Sequence, residues 1–207
     1  MFYGSLISLV NESYMILVIC CLVNIEHISW SSTGEIVESV TAIVVLVALI
    51  LFPVVEGIYL ALNWEDVDDE DFEQRHGEFY KDLKLDRGSK VLWQPIWFLL
   101  RRLILGFIVV FIKQRLVFQV LVFSLCVIIQ LNILRGSPFK IRSNNEREIF
   151  NEACVLLVTS HLYCFTAFVP EVDDKFMMGY SFIAVVCTYL LVIMSRMCWG
   201  ILKDGYR

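Results

Sequence analysis

Runs of apolar residues long enough to cross a lipid bilayer constrain this chain more than any other feature of its sequence. Residues 36–62, for example, contain only two charged side chains, Glu38 and Glu56. A helix needs about 20 apolar residues to cross about 30 Å of hydrocarbon. The chain is 58% hydrophobic and 19% charged, whereas a soluble domain is about 45–50% apolar and about 25% charged. One soluble core cannot bury so many long runs, and the sequence predicts an all-α, polytopic transmembrane helix bundle.

The lengths of the apolar runs indicate about six membrane helices with short outer loops. The expected helices are 2–25, 36–62, 95–112, 116–134, 149–169 and 176–202. The chain then divides into three parts. Residues 1–62 hold the first two transmembrane helices, 63–94 form an acidic cytoplasmic connector, and 95–207 hold four further helices and a short cytoplasmic tail.

Lysine and arginine are unevenly distributed between the two sides of this bundle. The connector 63–94, the loop 135–147 and the tail 203–207 carry most of them on one side. The opposite side has only Lys113, Arg115 and Lys175. Cytoplasmic loops of membrane proteins carry an excess of Lys and Arg. Both termini are therefore expected to be cytoplasmic.

Ionisable side chains inside or beside the apolar runs are the candidate site residues. They are Glu12, Glu56, Arg101, Arg102, Glu152 and His161. A charge at the centre of a membrane helix costs about 2.5–3.5 kcal/mol on insertion scales, so such residues face a partner or a water-filled cavity. Buried ion pairs often have a structural role. We favour a static clamp that sets helix register over a path for ions or protons.

The length of the third predicted helix gives the depth of its two arginines. If the bilayer began after Arg102, only about ten apolar residues would precede Lys113, half of what a span requires. Arg101 and Arg102 are therefore expected within the inner leaflet. There they either reach lipid headgroups or pair with Glu56 or Glu152.

Motifs for metal, cofactor or catalytic chemistry are absent from the sequence. The seven cysteines lie in apolar runs without a Cys-x-x-Cys pair, which is typical of free thiols. The acidic run 65–73 lacks the glycine and final glutamate of a calcium loop, and we expect a solvated connector. His161 lacks a second ligand residue, which favours a hydrogen-bonded histidine over a metal ligand. We expect no enzyme activity, no metal, no cofactor and no nucleic-acid partner.

Several short motifs follow one another in a fixed order from about residue 75 onward. They are HGEFYKDL at 76–83, LLRRL at 99–103, GSPF at 136–139, EREIFNE at 146–152 and FVP at 168–170. This series resembles the transmembrane region of ciliate multi-pass proteins classed as transient receptor potential-like, and 2–4 and 12–14 extend the match weakly. The resemblance implies a multi-pass membrane module with a channel-like ancestry, located in the plasma or ciliary membrane.

Two functions are compatible with these features. The first is a non-catalytic scaffold or accessory subunit that packs against other membrane proteins or further copies of itself within the lipid bilayer. The alternative is a cation channel or transporter subunit, whose usual filter needs a re-entrant loop between the last two helices. Only residues 170–175 join those helices. Six residues extend about 20 Å and cannot enter and leave the membrane, so any pore would be lined by helix faces.

The predicted orientation is testable at Asp69, which lies in the acidic connector. In the variant Asp69→Cys, the new thiol is expected to react with a maleimide only after the plasma membrane is permeabilised, because the connector faces the cytoplasm. The unsubstituted chain measures the background from the seven native cysteines. Labelling of intact cells by a membrane-impermeant maleimide, above that background, would show that the orientation is reversed.

Overall fold

The computed structural model describes residues 2–67, 69–80, 82–166 and 169–205. Seven α-helices are present in these residues: α1 (Phe2–Glu26), α2 (Thr33–Leu62), α3 (Glu70–Tyr80), α4 (Trp93–Phe111), α5 (Leu116–Arg135), α6 (Arg142–Cys164) and α7 (Val172–Gly205). Three short 3₁₀ helices lie at Trp64–Asp66, Leu85–Arg87 and Ser89–Leu92, and one isolated bridge pairs Leu83 with Phe139. The all-α helix bundle expected from the sequence is confirmed.

Five of these helices, α1, α2, α4, α5 and α7, are long and apolar enough to cross a membrane. The chain is therefore an integral membrane protein with several membrane-crossing helices. The predicted helix 149–169 corresponds to α6, which begins seven residues earlier, at Arg142, and ends at Cys164. Charged side chains crowd the first turns of α6, so it is long but not apolar enough for the same classification.

Two helices begin earlier than their apolar runs because polar residues stabilise their first turns. The helix expected from residue 36 begins at Thr33, where the Ser32 hydroxyl accepts a hydrogen bond from the Glu35 backbone N–H at 3.3 Å. This is a capping arrangement. The helix expected from residue 176 begins at Val172, with two aspartates in its first turn. Carboxylates there interact favourably with the positive end of the helix dipole.

Helix α1 is the centre of the bundle and packs against α2, α3 and α4. Its side chains Tyr14, Val18 and Leu22 are buried in the core. The Tyr14 hydroxyl donates a hydrogen bond of 2.8 Å to the Leu49 carbonyl oxygen. A buried hydroxyl without a partner is costly, so this bond fixes the position of α1 against α2.

The connector between α2 and α4 is folded, which corrects the expectation of a simple solvated segment. Its buried side chains are Val67, Phe79, Tyr80, Leu83, Val91 and Leu92. The acidic side chains of Glu65, Asp66, Asp69 and Glu73 remain exposed. Apolar residues interspersed among the carboxylates therefore anchor the connector to the core while its charges stay in water.

Backbone hydrogen bonds join this connector to the turn between α5 and α6. The Lys84 N–H donates to the Pro138 carbonyl oxygen at 2.7 Å, and the Lys140 N–H donates to the Asp82 carbonyl oxygen at 2.9 Å. The Arg87 guanidinium also donates to the Gly136 carbonyl oxygen. We call this side of the bundle the connector end. The opposite side, where residues 27–32, 112–115 and 165–171 join the helices, is the loop end.

Close packing of α4 on α1 predicts a specific sensitivity at Gly106. A Cβ atom on Gly106 would lie 2.8 Å from Cγ1 of the buried Val18, whereas a Cβ atom on Gly179 of α7 would meet nothing within 4 Å. Gly106→Leu is expected to lower the free energy of unfolding by about 1–3 kcal/mol, because overpacking moves the helices apart. Gly179→Leu is the matched control, expected within about 0.5 kcal/mol of the unsubstituted chain. Unfolding in mixed detergent micelles measures both, and equal effects would contradict the packing described.

Candidate functional site: ion pairs inside the helix bundle

The Arg101–Glu152 ion pair connects α4 to α6 within the bundle. Arg101 Nη1 lies 2.5 Å from Glu152 Oε2, and the two side chains are only 14% and 7% exposed. Helix α5 packs against both α4 and α6. This contact is one of the pairings expected from the sequence, and it joins two residues that are 51 positions apart along the chain.

A second carboxylate lies one helical turn from this pair. Glu148 precedes the apolar part of α6, and its Oε1 is 3.7 Å from Arg147 Nε. Burial raises the pKa of Glu148, while Arg147 acts in the opposite direction and Glu152 adds to the increase. Arg101 also interacts electrostatically with Glu148. The connector-end half of α6 therefore carries two carboxylates that share the field of one buried guanidinium.

Arg102 pairs with no carboxylate among the described residues and is held by the backbone and an aromatic ring. Its Nη1 donates a hydrogen bond of 2.9 Å to the Asn11 carbonyl oxygen on α1. Its guanidinium carbon lies 4.0 Å from the centre of the Phe98 ring, a cation–π arrangement. Arg101 Cζ also lies 5.9 Å from the centre of the Phe98 ring, but the two arginines bind different polar partners, Glu152 on α6 and the Asn11 carbonyl oxygen on α1.

Glu56 pairs with His76 instead of with either arginine. The distance between Glu56 Oε1 and His76 Nδ1 is 2.7 Å, and the side chains are 12% and 11% exposed. The rings of Tyr59 and Phe72 lie 4.9 and 5.0 Å from the His76 ring. The expected contact of Glu56 with Arg101 or Arg102 is therefore wrong, because α3 folds back onto α2 and brings a nearer partner.

The other two candidate residues are not part of either pair. The Glu12 side chain is exposed on α1 and makes no ion pair with any described residue. His161 Nδ1 lies 2.8 Å from the Leu157 carbonyl oxygen, and Nε2 lies 3.0 Å from Ser181 Oγ. The second contact joins α6 to α7, so His161 is a hydrogen-bonded histidine at a helix interface.

This arrangement is suited to holding helices together. Each buried charge is matched by an opposite charge, a carbonyl oxygen or an aromatic ring. Within the described ranges, no three His, Cys, Asp or Glu side chains lie close enough together to hold a metal ion. Two buried side-chain oxygens of those ranges, Asn11 Oδ1 and Gln130 Oε1, have no hydrogen-bond partner.

Sequence reasoning missed two partners that only the folded chain reveals. His76 lies in a polar segment outside the apolar runs, so nothing in its local sequence marks it as a buried partner of Glu56. Glu26 and Lys113 form an ion pair of 2.7 Å at the loop end, between α1 and the α4–α5 connection. The shared position of these two residues at the loop end was the only signal for that pair.

Comparison of the chain with protein-family models, curated proteins and solved structures found no match.

The buried pair is expected to show measurable coupling in a double-mutant cycle. Arg101→Met and Glu152→Gln each leave an unpaired buried group, so each should lower the free energy of unfolding. The double variant should be destabilised by less than the sum of the two single effects. We expect a coupling of about 0.5–3 kcal/mol for these contacting residues. The exposed pair Arg142–Glu146, at 2.8 Å on one face of α6, is the matched control with an expected coupling below about 0.5 kcal/mol.

Equilibrium unfolding in mixed micelles provides the four free energies for each cycle. A coupling at Arg101–Glu152 no larger than that of the exposed pair would contradict a clamp between α4 and α6.

Proposed function

We propose that this chain is a non-catalytic multi-pass membrane protein that acts as a scaffold or accessory subunit of a membrane assembly. The observation that carries this proposal is the exposure of α7. None of its most apolar stretch is buried within the chain. Its exposed large side chains include Phe176, Met177, Tyr180, Ile183, Leu190, Leu191, Met194 and Trp199. Apart from the face that packs against α6, such a helix presents an apolar surface that neighbouring membrane proteins or further copies could cover.

The length of α7 also supports a role in assembly. With 34 residues, α7 is about 51 Å long at 1.5 Å per residue. The hydrocarbon core of a bilayer is about 30 Å thick. Helix α7 therefore extends beyond the hydrocarbon or tilts strongly, and a protruding end offers a further surface to a partner.

The buried Arg101–Glu152 ion pair and the Glu56–His76 hydrogen bond fit an assembly subunit better than a transport path. Arg101 with Glu152, and Glu56 with His76, hold one another at 2.5 and 2.7 Å. An ion path instead needs polar groups that are free to exchange partners. The alternative proposal, a channel or transporter subunit without a conventional filter, is favoured only by the two buried oxygens of Asn11 and Gln130 that lack partners.

We further propose that the connector end faces the cytoplasm, with both termini on that side, in the plasma or ciliary membrane. The distribution of Lys and Arg supports the orientation. The resemblance of the ordered short motifs to those of ciliate transient receptor potential-like proteins supports the choice of membrane and a common ancestry with that family.

Site-specific photocrosslinking tests the assembly role of α7. A photoreactive amino acid at Leu191, which is 70% exposed, is expected to give adducts of discrete mass with another polypeptide in native membranes. Ile16 on α1, 67% exposed, is the matched control at a comparably open position, where we expect mainly lipid adducts. Mass spectrometry of the adducts distinguishes the two. If Leu191 also yields only lipid adducts, α7 faces the bilayer and the proposed role fails.

A further inference from the structure

A groove of about 360 Å³ opens between α1, α2 and α4 near the loop end. Only apolar side chains line it, among them Leu22, Leu46, Ile50, Leu103, Phe107 and Phe111. Ligand sites in proteins usually range from about 300 to 1,000 Å³, so the groove has the size of a small binding site.

A polar cavity of about 320 Å³ lies directly beside this groove. Its lining includes Glu26, Lys113, Gln114 and Arg115. Phe111 lines both spaces. An apolar groove on the outer face of the bundle, where Ile50 and Phe107 are exposed, thus adjoins a polar space at the end of the helices, as the tail of a lipid adjoins its head.

The charges of the polar cavity leave one positive group without a partner. Lys113 Nζ lies 2.7 and 2.8 Å from the two carboxylate oxygens of Glu26, so these two charges neutralise each other. Arg115 is exposed and forms no hydrogen bond or ion pair through its side chain with any described residue. Arg115 also immediately precedes α5, whose N-terminus has no side-chain cap. The cavity is therefore complementary to an anion.

We propose that this composite site binds an anionic phospholipid, with one acyl chain in the apolar groove and the phosphate beside Arg115. An acyl chain that moves from the bilayer into the groove exchanges one apolar environment for another, so the transfer itself gains little hydrophobic free energy. The role of the groove is therefore to fix the position of the lipid. Charge complementarity at Arg115 determines the selection of anionic over zwitterionic headgroups, because its guanidinium, which pairs with no described residue, attracts a headgroup that carries a net negative charge.

The headgroup part of the proposal is tested by native mass spectrometry of the purified full chain in detergent. Dioleoylphosphatidylglycerol and dioleoylphosphatidylcholine have the same acyl chains and differ in headgroup charge. Arg115→Gln is expected to weaken binding of the phosphatidylglycerol about five-fold, the change expected from one basic residue near the surface, and to leave the phosphatidylcholine unchanged. Arg135→Gln is the matched control, because it removes an exposed arginine from the other end of α5.

The acyl-chain part is tested by filling the groove. Ile50→Trp places a larger side chain in the groove and is expected to abolish retention of both lipids. Ile43→Trp, two helical turns away on α2 and 37% exposed against 42% for Ile50, is the matched control and should retain them. Inorganic phosphate should not displace the bound phosphatidylglycerol, since it lacks the chain that occupies the groove.

Three results would each overturn the proposal. One is equal binding of phosphatidylglycerol by Arg115→Gln and Arg135→Gln. Another is equal retention of both lipids by Ile50→Trp and Ile43→Trp, with circular dichroism showing that both variants are folded. The third is that Ile50→Trp causes the loss of a bound second copy of the chain rather than the loss of bound lipid. Arg115 is exposed, so Arg115→Gln remains informative even if Ile50→Trp does not fold.

Discussion

A guanidinium group within an apolar helix needs a partner, and the requirement of Arg101 for Glu152 constrains how the helices of the bundle pack. Leaving such a charge unpaired costs several kcal/mol, so α4 and α6 must approach closely enough for Arg101 and Glu152 to meet at 2.5 Å. Helix α5 packs against both, and α7 then packs against α6. The pair adds little net stability compared with an apolar core, but it excludes arrangements in which α6 rotates or slides by a turn.

The connector end is organised by the same requirement applied to Glu56. Its partner His76 comes from α3, so the carboxylate inside α2 is satisfied only when the connector folds back onto the bundle. Backbone bonds from Lys84 and Asp82 then join that connector to the α5–α6 turn. The first two helices and the last three are therefore tied together through a connector that contains ten of the 22 acidic residues.

The apolar runs predict the helices well because lipid compatibility is a local property of the sequence. The predictions for α1, α4 and α5 differ from the structure by at most two residues at either end. The start of α6 was missed because hydropathy measures compatibility with lipid, whereas charged residues such as Arg142 and Glu146 form helices readily. Depth in the membrane identified Glu152 as a partner of Arg101 but also wrongly admitted Glu56. Depth does not specify the direction in which a side chain faces, and that direction depends on tertiary packing.

The polar first half of α6 has a consequence for biosynthesis. As α6 leaves the ribosome, it is the long helix least able to partition into lipid alone. The guanidinium that neutralises Glu152 was synthesised 51 residues earlier, which is about 3–10 s at usual translation rates of about 5–20 residues per second. Helix α4 must therefore stay accessible while α5 is made, so that Glu152 finds its guanidinium on a helix that has already formed.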